Sequence, residues 1–290
     1  MSTPVVRQHL PSTDRVKEHA QHTAQEARPW VVRLGRFGHA AHGVVYAAIG
    51  LLAARAAIGT GGTMTDSEGA LRWIVQAPFG RGLLGLIAVG LAGYALWRFV
   101  QAIRDTEGEG TDAGGIVARG SYIIIGVVHA GLALFALRLA LGSDGGGTGD
   151  DAARDWTARL LAQPFGPWLV GLVGVVVIGV SLQQFYSAYQ AKFREELKLA
   201  EMSDAEQRWA TRAGRLGYAA RGVVFLIIGG FLIVAAMQAE PQQARGLGGA
   251  LTTLAQQPFG PWLLGVVALG LIAYGAFAAV EARFRRMLVR

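Results

Sequence analysis

The chain has 290 residues, 52% hydrophobic and 16% charged, with a formal net charge of +7 and no cysteine. So small a charged fraction departs from the roughly 25% of an average soluble domain, and the absent thiols exclude disulfides, thiolate nucleophiles and cysteine-ligated clusters. The apolar residues gather into six runs of about 20 residues each, which at about 1.5 Å per residue matches the roughly 30 Å hydrocarbon core of a bilayer.

In chain order, residues 1–32 read as a polar cytoplasmic tail, part helical over 1–29. Its length ahead of the first apolar run argues against a cleaved signal peptide. Repeat one, residues 33–105, places spans near Phe37–Ala57 and Gly82–Ile103, with a short interfacial helix expected at Ala70–Val75. Repeat two, 106–190, places spans near Ile116–Leu141 and Phe165–Ala188. Its loop Gly142–Asp155, glycine-rich, has flexible-linker composition, and an interfacial stretch follows at Trp156–Ala162. Residues 191–212 read as a cytoplasmic linker helix that extends span four, breaks at Ser203 and restarts on the capping box Ser203–Glu206. Repeat three, 213–290, places spans near Leu216–Met237 and Phe259–Ala282, preceded by an interfacial stretch at Ala250–Ala255.

The triplication is carried by a phrase and by an alignment. Pro78-Phe79-Gly80, Pro164-Phe165-Gly166 and Pro258-Phe259-Gly260 each open a span, with the prolines 86 and 94 residues apart. Upstream, Arg36, Arg119 and Arg215 fall in step, as do Gly43, Gly126 and Gly222. A period of this size must be settled before the fold. The expected fold is all-α: a polytopic membrane protein of six transmembrane helices, arranged as three parallel two-helix repeats in a pseudo-threefold bundle. Proline is tolerated in a first helical turn, so the phrase is expected at the start of each even-numbered span, with its Phe and the later Trp168 and Trp262 in an aromatic belt. Glycines within the spans, such as Gly85, Gly90, Gly174, Gly179, Gly270 and Gly275, predict close helix contacts.

Lys and Arg concentrate in four stretches, 1–36, 98–119, 192–221 and 283–290, which hold 20 of the 27. By the positive-inside rule both termini are expected to be cytoplasmic. The pI of about 10.1 then reads as attraction to anionic lipid at the cytoplasmic face, not as a nucleic-acid surface.

Candidate chemistry is sparse. His39, His42 and His129 lie within spans, where ionisable groups are functional candidates, and a neutral imidazole can bind haem or a metal. Yet His39 aligns with Tyr122 and Tyr218, and His129 with Tyr46 and Phe225, so both occupy aromatic positions of a generic unit. His42 aligns with Ile125 and Arg221, with no common role, and packing is the favoured reading for all three. Arg36, Arg119 and Arg215 read as snorkelling to lipid phosphate, against the sharper reading of a ring guarding an anion vestibule. Arg98, Gln183 and Gln184 suggest an asymmetric polar path or interhelical hydrogen bonds. No cofactor or metal is called for, and no catalytic constellation is present.

With Gly35-Arg36-Phe37-Gly38, Gly214-Arg215-Leu216-Gly217 and the Pro-Phe-Gly phrase, the chain resembles the bacterial membrane family known as domain of unknown function 1206, over about Arg33–Arg286. Repeat two departs by carrying Ser121 where the others have Gly38 and Gly217. The resemblance implies a six-span bacterial plasma-membrane protein and supplies no catalytic residue. The leading expectation is a non-enzymatic scaffold or accessory subunit with a membrane protein partner. The alternatives are a passive channel or small-solute permease, and a haem-binding or lipid-handling membrane enzyme.

Overall fold

A computed structural model describes residues 13–106, 108–143 and 146–286; the expectation for the first twelve residues of the tail lies outside them. The helices are α1 (Thr13–Ala57), α2 (Ser67–Val75), α3 (Gly80–Arg104), α4 (Ala113–Ala140), α5 (Gly149–Leu161), α6 (Gly166–Gln190), α7 (Asp204–Gln238), α8 (Leu247–Ala255) and α9 (Gly260–Phe284). Among the described residues there is no strand, only one isolated antiparallel bridge between Leu197 and Arg285. Six helices, α1, α3, α4, α6, α7 and α9, are long and apolar enough to cross a membrane, since a helix satisfies its own backbone where no water can. The protein is a multi-pass membrane protein of three tandem two-helix repeats.

The packing order is cyclic. The second span of each repeat packs on the first span of the next: α3 on α4, α6 on α7, and α9 back on α1. These three interfaces use matching positions. A Cβ on Gly43 would lie 2.6 Å from the Gly275 carbonyl oxygen, so α1 and α9 touch backbone to backbone. At the matching place on α6, Ser181 Oγ donates to Gly222 O of α7 at 2.8 Å, and Gly126 of α4 receives the Phe99 ring of α3. Within repeats, α1 packs on α3 and α7 on α9, whereas among the described residues α4 and α6 share no packed face. The bundle is a pseudo-threefold ring with one gap.

The end holding α2, α5, α8 and the Pro-Phe-Gly turns is called the cap end, and the opposite one, where α7 begins and α9 finishes, the basic end. At each turn the prolines stand one step earlier than expected. Pro78 and Phe79 are the central pair of a turn closed by Gly80 N–H donating to Ala77 O at 2.8 Å. Phe79, Phe165 and Phe259 take left-handed backbone angles, φ 60°, 60° and 59°, which costs an L-residue roughly 1–2 kcal/mol. The residue after each must be glycine, because a Cβ there would overlap the last carbonyls of the preceding short helix, Ile74 O, Leu161 O and Ala255 O. The proline that occupies a first helical turn is the next one, Pro167 in α6 and Pro261 in α9.

Two further segments differ from expectation. Span four does not extend: α6 stops at Gln190, Ala191 turns left-handed, and 3-10 turns at Lys192–Glu196 and Leu199–Glu201 lead to Ser203. The Ser203–Glu206 capping box is formed and starts α7, whose first two turns belong to the expected linker. This connector cannot continue as a helix because it caps α9, whose Phe284 carbonyl accepts from Lys198 N–H at 2.8 Å. The glycine-rich loop of repeat two is helical from Gly149 onward, since Thr148 and Asp151 form a second capping box. Of the span glycines, Gly90, Gly174, Gly270 and Gly275 meet neighbouring helices, while Gly85 and Gly179 face open space.

Candidate functional site

One face of each first span carries three positions a turn apart: 39, 42 and 46 in α1, matched by 122, 125 and 129 in α4 and by 218, 221 and 225 in α7. This spacing puts them on one helix face, and rings from that face converge at the bundle's centre. His42 stacks on Tyr94 of α3 at 4.8 Å and lies 5.0 Å from His129 of α4. His39 meets Tyr94 edge-on at 5.0 Å, Tyr46 meets Tyr274 of α9 at 4.9 Å, and Tyr218 meets Tyr274 at 5.8 Å. His42 and Arg221, which shared no role in the sequence, both sit in this cluster.

Two of the imidazoles are held by their own helices. Nδ1 of His39 donates to Gly35 O, and Nδ1 of His129 to Ile125 O, each at 2.8 Å. A carbonyl only accepts, so in the neutral ring Nε2 carries the free lone pair. His39 is 2% exposed and its Nε2 is buried without a hydrogen-bond partner. His42 is covered by Tyr94 and lies 5.0 Å from His129, too near for a planar macrocycle to enter between those two rings. Among the described residues no group of three His, Asp or Glu is placed to hold a metal ion.

Two guanidiniums complete the centre. Arg98 of α3 donates to Gln101 Oε1 at 3.0 Å and to the Tyr94 hydroxyl, and lies over the Tyr122 ring. Arg221 of α7 is caged by three aromatic faces, Tyr274 at 4.4 Å, Phe225 at 5.3 Å and Tyr46 at 5.6 Å. Among the described residues neither has a carboxylate within ion-pairing distance. Glu281, the acid on α9, is taken by Arg285 at 2.8 Å, and Arg285 also pairs with Glu196 at 2.6 Å. An arginine inside a membrane costs about 2.5–3.5 kcal/mol or more, and a desolvated cation–π contact returns about 2 kcal/mol. The rings therefore make Arg221 tolerable while leaving its charge uncompensated. Beside it lies a cavity of about 130 Å³ lined by Tyr46, Ser67, Arg221, Phe225, Leu247 and Leu271.

The cap end closes over this cavity. Asp66 Oδ1 caps α2 by accepting from Gly69 N–H at 2.8 Å, and its Oδ2 accepts from Gly149 N–H of α5 at 2.6 Å. Asp150 of α5 accepts from Gly246 and Gly249 N–H at the start of α8, at 2.7 and 3.2 Å. Charge-assisted bonds of this kind at helix N-termini are strong, and they tie all three repeats together. Burial, with Asp66 beside it, pushes the Glu68 carboxyl above its ordinary range.

The other sequence candidates lie elsewhere. Arg119 Nε donates to Ala102 O at the end of α3 at 2.7 Å, and Arg215 donates to Tyr189 O at the end of α6 at 3.4 Å. Both thus cap the last carbonyls of the preceding repeat's helix, a favourable place for a cation. Arg36 at the matching place has its Nε buried without a partner. Gln183 bonds Ser187 within α6, and Gln184 is buried. Sequence reasoning missed the tyrosines and Arg221 as one site; the available signal was that columns 39, 42 and 46 of the repeat carry rings or charges in most units.

The family model described as Domain of Unknown Function (DUF1206) matches three times, at residues 37–105, 120–191 and 216–285. A Bacillus subtilis (strain 168) protein named "Uncharacterized protein YxxB" is 40% identical over 263 residues, which cover 91% of this chain and 94% of that one. No solved structure matches.

Proposed function

The chain belongs to the DUF1206 family, and from that premise we propose that it is a non-enzymatic binding protein of the bacterial plasma membrane that holds an anionic group at the centre of its bundle. The observation that carries this reading is the pair Arg98 and Arg221, two cations within the spans that lie over tyrosine rings and, among the described residues, lack carboxylate partners, with Arg221 also lining a cavity. A scaffold has no use for charge there, whereas a binder gains from it, because a low-dielectric site strengthens the attraction to an anion. The permease reading is weaker, since flow along the axis would require the Asp66 and Asp150 contacts at the cap end to part. The distribution of Lys and Arg supports a cytoplasmic basic end with both termini inside, resting on anionic lipid.

Native mass spectrometry of the full chain in mild detergent tests the proposal, comparing wild type with the double variant R98Q/R221Q. The expected result is a stoichiometric acidic adduct on wild type that the double variant lacks. A bare wild-type chain, or an adduct retained equally by both, would overturn it.

A further inference from the structure

The gap between α4 and α6 is written into repeat two. In repeat one, a Cβ on Gly90 would overlap Ala41 Cβ, and one on Gly38 would lie 2.5 Å from Tyr94 N. Repeat three closes on the matching residues: a Cβ on Gly270 would overlap Ala220 Cβ, and one on Gly217 would lie 2.6 Å from Tyr274 Cα. Small residues are what allow membrane helices to approach this closely. Repeat two has Val176 in place of Gly90 and Gly270, Ile124 in place of Ala41 and Ala220, and Ser121 in place of Gly38 and Gly217. Its two spans cannot close in the same way, and the two remain apart.

The consequence is a sideways opening. Every other neighbouring pair of spans in the ring is packed, and the cap end is tied shut. Yet Tyr46, Arg221, Phe225 and Ile228 of the cavity wall, and His129 on α4, are only half-buried. Partial exposure of these residues, which belong to α1, α4 and α7, fits an entry from the unpacked side between α4 and α6. Arg221 stands five residues inside the apolar run that begins at Leu216, about 8 Å below the basic edge, within reach of a lipid head group drawn in from that leaflet.

We infer that the α4–α6 gap is a lateral doorway for an acidic membrane lipid, whose phosphate head group is held at Arg221 while its apolar tail stays between α4 and α6. This rests on the reading that the centre binds an anion, and it adds the ligand class and the route. Charge selects this occupant: a neutral helix or a second copy seated in the gap would leave the caged guanidinium uncompensated, and a free anion would not need exposed apolar flanks such as Ile124 on α4 and Val176 and Val180 on α6.

The test uses the full chain in phosphatidylcholine vesicles containing a trace of phosphatidic acid with a photoactivatable acyl chain, against the same label on phosphatidylcholine. Cross-linked peptides are mapped by mass spectrometry. The expected result is several-fold stronger labelling of facing residues on α4, α6 and the Phe225–Ile228 face of α7 by the acidic lipid, reduced to the phosphatidylcholine level in R221Q. The variant S121G/I124A/V176G, which gives repeat two the small residues of its neighbours, is expected to lose the inner labelling. The wild-type comparison of the two lipids decides even where a variant does not fold. Equal labelling by both lipids, labels spread evenly over the outer faces of all spans, or a cross-linked dimer through α4 and α6 would overturn the doorway. An arginine-dependent adduct in the native spectrum without selective lipid labelling would overturn it while leaving the central anion site standing.

Discussion

Repeats one and three form closed hairpins and repeat two does not, although all three carry the same turn phrase, the same arginine and the same glycine at 43, 126 and 222. The shared residues serve contacts between repeats: Gly43 against Gly275, Gly222 against Ser181, Arg119 and Arg215 on the helix ends of the repeat before. The residues that close a hairpin are a separate set, 38, 41 and 90 in repeat one, and repeat two has exchanged them for larger side chains. A tandem repeat can therefore keep its ring while opening one unit, because the two kinds of interface lie on different helix faces.

The largest effect is expected where repeat one is made to look like repeat two. Gly90→Val places a branched side chain where even a Cβ overlaps Ala41, and should cost about 3 kcal/mol of stability by overpacking. It would be read as a lowered melting temperature in detergent, and an unchanged one would break the explanation of the gap. Next, Asp150→Ala strands the Gly246 and Gly249 N–H groups, and hydrogen bonds to a charged acceptor are worth about 1.5–3 kcal/mol. Faster hydrogen exchange confined to the start of α8 would sharpen the view that the cap joins repeats two and three; exchange unaltered there would remove it.

The smallest effect concerns Glu68, on α2 in repeat one. Its carboxyl is raised by burial and by Asp66, so the fold favours the neutral form. Stability is then lost as pH rises from the ordinary carboxylate range through the raised folded value. Glu68→Gln should melt slightly higher than wild type at neutral pH, with the difference vanishing in acid. A difference that grows in acid would reverse the sign.

Much of the fold was legible because membrane spans announce themselves locally: an apolar run of the right length, a polar loop, and a Pro-Phe-Gly turn whose glycine admits no side chain. The misread parts have local causes with distant partners. The run Gly145 to Asp151 looks like a flexible linker by composition, yet Thr148 and Asp151 cap a helix whose first residue, Gly149, is bound by Asp66 from another repeat. Residues 192–201 are rich in helix formers, so by sequence span four runs on; in the structure they bend to cap α9. The candidate site was half legible: the histidines stood out, but Tyr94, Tyr274 and Arg221 drew no attention as single residues.

By itself the sequence determined the number of spans, where along the chain each lies, the Pro-Phe-Gly turns and the threefold repetition, because these follow from backbone satisfaction in an apolar medium and from steric rules at single residues. Only the tertiary structure decided which faces meet. Apolar helix faces are nearly interchangeable to lipid, so the choice among them falls to close contacts between particular small residues on different helices. Those contacts bring His42, Tyr94, Arg221 and Tyr274 to one point from four helices, and where Val176 and Ile124 forbid them, they leave the bundle open on one side.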